Sequence, residues 1–198
     1  TFNDTDFYPP VTSSKVNQEE YTEIKDDKTI SNETKTVVVY NKYNMEAVLS
    51  AAIIKQHVNV QIYEVSLSIP DHADKYVWLG VTPNPGMFGG KEVWEKEHLV
   101  ATSGYPLRTF SMKYGKPTYK EVETQTLEYT TNTTSKIMDY FNIREEKYLG
   151  LVEMVHRFYD KNMDLDTLAY VYQNVKNAEE SLTTGVFTLE APSLEQLH

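Results

Sequence analysis

The chain reads as an α/β protein with a largely parallel sheet flanked by helices and a helical C-terminal third. Three observations predict this. Short β-branched or apolar runs near 36–40, 58–65, 76–81 and 98–102 have the length of strands. A helical pattern separates the first two runs, and a loop with a short helix separates the last two. From about residue 134 onward, apolar residues recur at helical spacing. Strand–helix alternation of this kind indicates parallel pairing through right-handed crossovers.

The first strand is Thr36-Val37-Val38-Val39-Tyr40, β-branched and apolar throughout. A helix over about 45–57 follows, with Val48, Ala51, Ala52 and Ile54 near helical spacing; its small Ser50, Ala51 and Ala52 allow close packing on a sheet. In the second strand Val60, Ile62 and Glu64 share one face, and Gln61, Tyr63 and Val65 the other. The third run, Tyr76 to Val81, leads into a Pro83-Asn84-Pro85-Gly86 loop and a short helix over 90–97, before the fourth run at Leu99-Val100-Ala101-Thr102. Residues 107–112 and 118–123 flank Lys113-Tyr114-Gly115-Lys116-Pro117, a hairpin signal. Helices are expected at 134–142 and 145–160. The last is capped by Asp164, with Leu165, Leu168, Ala169, Tyr172 and Val175 as its apolar stripe. Residues 1–35 are polar and Pro-containing and read as an extended arm; 36–182 form the folded domain, and 183–198 a C-terminal tail.

Composition narrows the function. With 40% hydrophobic residues among 198, a sizeable core is available. The cysteine count is zero, which removes disulfides and thiolate metal sites and suits a reducing compartment. The opening Thr1-Phe2-Asn3-Asp4-Thr5-Asp6 is acidic and polar, unlike a secretory signal, and no stretch approaches the roughly 18 apolar residues of a membrane span. A cytoplasmic protein without membrane contact is therefore expected. Acidic residues outnumber basic ones 29 to 19, and no basic run stands out, which disfavours nucleic acid as a partner.

Searches for chemistry-bearing motifs are negative. The sequence has no Gly-x-Gly-x-x-Gly, no phosphate loop, no Gly-x-Ser-x-Gly and no His-Glu-x-x-His. His57, His72, His98, His156 and His198 show no chelating spacing. Trp78 reads as core, and so do Trp94 and Phe88 on packing grounds, although an exposed patch beside the loop is the alternative.

The stretch TVVVYNKYNMEAVLSAAIIKQ, from Thr36 to Gln56, resembles the opening strand, loop and helix of the Asp-His-His (DHH) phosphoesterases. In that family the strand runs into His-x-Asp-x-Asp-Gly. Here Asn41 stands at the His position, Tyr43 and Met45 at the two Asp positions, and Glu46 at the Gly. By the same resemblance the second motif's Asp falls at Gly80, and the Asp-His-His triplet at Thr102, Ser103 and Gly104. The helix of the fourth motif falls at Leu151 to Asp160, leaving His156 or Asp160 as a candidate ligand.

The resemblance implies a DHH-like fold over roughly 36–180 and an emptied metal site. Two divalent cations need several carboxylates or imidazoles. The expectation is thus a catalytically inactive domain, with no metal and no cofactor, that binds a protein partner or a second copy of itself. The alternatives are an active phosphodiesterase or nucleotide-binding protein with a remodelled site, and an assembly protein of a virus particle. Asn41, Tyr43, Asn44, Thr82, Asn84, Ser103 and Arg108 are the polar groups expected around the crevice beyond the strand ends, where α/β sheets gather ligands.

Overall fold

A computed structural model describes residues 35–88, 90–123, 132–159 and 163–190. The arm expected at 1–35 lies outside the described residues apart from Lys35, as do residues 191–198 of the tail, Gly89 and Asp160.

Six strands form one sheet in the order β2-β1-β3-β4-β5-β6. They are β1 (Thr36–Tyr40), β2 (Gln61–Glu64), β3 (Lys75–Leu79), β4 (Glu97–Ala101), β5 (Arg108–Lys113) and β6 (Lys116–Glu121). The first four are mutually parallel. The last two are an antiparallel hairpin added to β4. The β-branched content of Val37, Val38 and Val39 fits a strand covered on both faces, and all three are buried. The second strand alternates as its sequence demands. Ile62 packs with Val38 and Val77 on one face of the sheet, and Tyr63 with Val39 and Trp78 on the other.

Helix α1 (Met45–His57) begins at Asn44, whose side chain accepts from the Ala47 N–H, and is buried continuously from Glu46 to Ile54. A helix apolar on all sides belongs inside a domain. It lies between the sheet and three helices: α3 (Thr133–Tyr140), α4 (Leu149–Tyr159) and α5 (Leu165–Thr184). Ser50, Ala51 and Ala52 are fully buried in that sandwich, where larger side chains would force the layers apart. The opposite sheet face is covered by the 65–74 crossover, the loop after β3 and the one-turn α2 (Lys91–Trp94). There Trp78, Trp94 and His98 stack among Tyr76, Phe88 and Phe110. Trp78 and Trp94 are therefore core residues.

Two expectations need correction. The buried face of α5 is Val171, Asn174, Ala178 and Ser181; of the expected stripe Val175 packs half-buried beside it and Leu168 is half-buried, while Leu165, Ala169 and Tyr172 are exposed. Small Ala178 and Ser181 let α5 approach the similarly small face of α1, and close approach outweighed the size of Leu and Tyr. Asn174 is buried without penalty, because its amide donates to the Tyr170 carbonyl and accepts from the Glu190 N–H. This helix also runs through Thr184, two residues past the boundary read at 182, and Phe187 and Leu189 fold back against the helical layer.

Candidate functional site

The order β2-β1-β3 reverses direction at β1, so the topological switch point lies between the C-terminal ends of β1 and β3. Here the chain fills its own crevice. The Asn41 N–H donates to the Leu79 carbonyl (3.1 Å), and the Asn41 amide donates to the Gly80 carbonyl (3.3 Å). Asn41 Oδ1 accepts from the Tyr43 N–H, which leaves the Tyr43 ring 85% exposed. Gly80 takes φ +69°, and a Cβ there would stand 2.9 Å from Ala47 Cβ and 3.0 Å from Asn44 Cγ. No side chain of any kind fits at that strand end, a carboxylate least of all.

The crevice that is open lies one strand over, beyond β4, and its centre is Glu46. This carboxylate, 4% exposed, accepts from the Thr133 N–H at the start of α3 (2.6 Å) and from the Ser103 hydroxyl (3.1 Å). The Thr134 hydroxyl donates to the Glu46 carbonyl, and the Ser50 hydroxyl to Thr134 Oγ1. A helix N-terminus offers unpaired N–H groups and partial positive charge, the usual seat of a phosphate oxygen. In this protein an internal carboxylate takes that seat. The cavity beside it has a volume of about 210 Å³ and is lined by Glu46, Ser103, Gly104, Asn132, Thr133, Lys136 and His156. Lys136 reaches in from α3 and donates to the Tyr105 carbonyl (2.7 Å). Burial pulls the Lys136 ammonium below the usual lysine range, and the Glu46 charge opposes that fall.

Of the seven crevice residues expected from the sequence, Asn41 and Asn44 meet at the switch point and Ser103 joins the open cavity. Tyr43 projects away. Thr82 is exposed on the loop after β3, and Asn84 caps the short turn Pro85–Met87 by accepting from the Gly86 N–H. The Arg108 guanidinium is held between the Tyr105 and Tyr119 rings (4.6 and 4.2 Å to the centroids). It faces those rings on the hairpin and is absent from the cavity lining. Glu46 and Lys136 were missed. A signal for Glu46 exists, since it is the only charge in the Met45–Ile54 run. Nothing in the sequence joins Lys136 to it across 90 residues.

The donor set does not fit the two-metal centre of the resembling family. Gly80 and Met45 offer no oxygen, Asn41 is spent on Gly80, Tyr43 points outward, and Ser103 is bonded to Glu46. Among the described residues no three of His, Asp and Glu converge on one point.

A larger apolar recess of about 600 Å³ lies on the other sheet face, lined in part by Phe88, Trp94, Met112 and Tyr114. The hairpin register also gathers bases that are scattered in sequence. Lys113 pairs with Lys116, and with Lys120 they share the opposite face of the ribbon from Phe110 and Tyr119. Lysines on an edge ribbon guard it against pairing with other chains, which accounts for them without a ligand.

Comparison of the chain with protein-family models, with curated proteins and with solved structures returned no match.

Proposed function

We propose that this chain is a non-catalytic binding domain, of the degenerate DHH-like kind implied by its strand-end substitutions, and that it associates with a second copy of itself. One observation carries the reading. The outer face of α5 presents Leu165 (81% exposed), Ala169 and Tyr172 (61% exposed) at i, i+4 and i+7. Lys176 continues that row at i+11.

The row is self-complementary. In an antiparallel pair of α5 helices related by a twofold axis, Ala169 faces the partner's Tyr172, a small residue against a large one, twice over. Lys176 then lies beside the partner's Asp164 and the partner's Asp166, a charge match that a parallel pair would lose. One helix pair buries less than the roughly 1,200 Å² of a strong interface, so the dimer is weak and concentration-dependent. Metal-dependent phosphodiester hydrolysis is disfavoured because the strand ends supply neither the carboxylates nor the space. Among the described residues no helix is long and apolar enough to cross a membrane. The absence of cysteine supports a reducing compartment such as the cytoplasm.

The test is sedimentation equilibrium across a wide concentration range. A monomer–dimer equilibrium is expected, lost on Leu165→Asp with little change in the urea midpoint, since that side chain is exposed, and lost on Tyr172→Asp with a small drop in the midpoint, since the Tyr172 ring lies edge-on to Phe158. A chain that stays monomeric at every concentration, or a dimer indifferent to both variants, refutes the proposal.

A further inference from the structure

The cavity beyond β4 is lined by a buried acid, Glu46, a partly buried base, Lys136, and the imidazole of His156, and Glu46 and Lys136 do not pair with each other. Glu46 accepts from the Thr133 N–H and the Ser103 hydroxyl, and Lys136 donates to the Tyr105 carbonyl; among the described residues no ion pair joins the two. Each is held in place independently, Glu46 on the first turn of α1 and Lys136 on α3. A carboxylate accepts at about four positions and an ammonium donates three bonds, so both retain capacity toward the space between them. The Thr133 side chain lines the same space, is 2% exposed, and its hydroxyl oxygen has no hydrogen-bond partner. That oxygen is itself closed off from solvent, so it belongs to the packed wall of the cavity and not to its open surface.

We propose that this cavity binds a small zwitterion of amino-acid size, its cationic end against Glu46 and its anionic end on Lys136. Size and charge together select this class. A recess of about 210 Å³ is matched in size by a molecule of amino-acid size, and a nucleotide or a sugar chain would extend beyond it. A free phosphate or a simple carboxylate would meet Lys136 but would have to lie against the Glu46 charge, which already occupies the helix N-terminus where an anion would otherwise sit. A simple amine would meet Glu46 but would sit against the Lys136 ammonium. A molecule carrying both charges satisfies both walls. Ser103, whose hydroxyl donates to Glu46, lines the same space. This site is independent of the α5 face, so the two proposals fail separately.

The experiment is a titration of the full ¹⁵N-labelled chain with L-serine through the millimolar range, followed by amide shifts, with propionate and ethanolamine as single-charge controls. Saturable shifts are expected at 102–105 and 132–136, with little response to either control. Lys136→Met should weaken binding at least tenfold, and Lys136→Arg should retain most of it. Both variants keep the amide spectrum as a check on folding, and Ser103→Ala offers a milder second probe expected to weaken binding a few-fold. Absence of saturable shifts with serine, equal binding of propionate or ethanolamine, or serine binding unchanged by Lys136→Met overturns the proposal.

Discussion

His98 is fully buried, and its two neighbours fix its proton. The Trp78 indole can only donate, so Nδ1 of His98 must accept from it (3.1 Å), and Nε2 carries the hydrogen given to the Val93 carbonyl (2.7 Å). Protonating Nδ1 would set one N–H against another inside an aromatic stack. Burial accordingly pushes the His98 pKa down, with the Val93 bond a smaller opposing effect. The unfolded chain takes up a proton below about pH 6.5, whereas the folded chain resists until the pH reaches its depressed value. Stability from this residue is therefore complete above pH 6.5 and is lost as the pH falls through the interval between the two values. Urea unfolding at a series of pH values should show that decline, and His98→Gln should flatten it near pH 6 while lowering stability throughout. An unchanged slope in the variant would assign the decline to the carboxylates instead.

At the scale of elements, the strand ends decide what the sheet can hold. Gly80 and Gly104 follow β3 and β4, and both have positive φ, yet they differ in one respect. Gly80 is packed against Asn44 and Ala47, whereas a Cβ at Gly104 meets nothing within 4 Å. Gly104→Ala should cost only the left-handed backbone penalty, about 1–2 kcal/mol. Gly80→Ala adds the overlap with α1, and should cost about 1–3 kcal/mol more, because Ala47 Cβ and the Asn44 side chain that caps the helix, rather than a flexible tip, must give way. Comparing the two unfolding free energies isolates the packing contribution; equal losses would mean that the β1–β3 crevice is looser than described. The last helix teaches the complementary lesson. Leu165 and Tyr172 stay outside while Val171, Ala178 and Ser181 are buried in the helical layer.

For the molecule as a whole, the β1–β3 switch point is closed by Asn41, Asn44 and Gly80, and the adjacent opening is governed by one acid and one base. Calorimetric titration with Mn²⁺ should show no tight two-site binding, and short oligonucleotides and cyclic dinucleotides should not be turned over. Tight two-site binding, or turnover abolished by a chelator, would return the enzyme reading and refute the correspondence drawn at Gly80 and Thr102. The distribution of charge is uneven. An excess of ten negative charges is spread over the whole chain, while three lysines are brought together on the hairpin face.

The α/β class, the four parallel strands, the central helix over 45–57, the Asp164 cap and the hairpin were all legible in the sequence. Each depends on local signals: β-branched runs, helical spacing, caps and turn residues act within a few positions of one another. The cavity was not legible. It required residues from the first turn of α1, the loop after β4 and the start of α3, brought together only when the sheet and the helical layer packed. The buried face of α5 was likewise a tertiary decision. Its sequence offers two stripes, a large apolar one and a small mixed one. Only the surface of α1 selected between them, since burial depends on the fit between two surfaces and periodicity describes one.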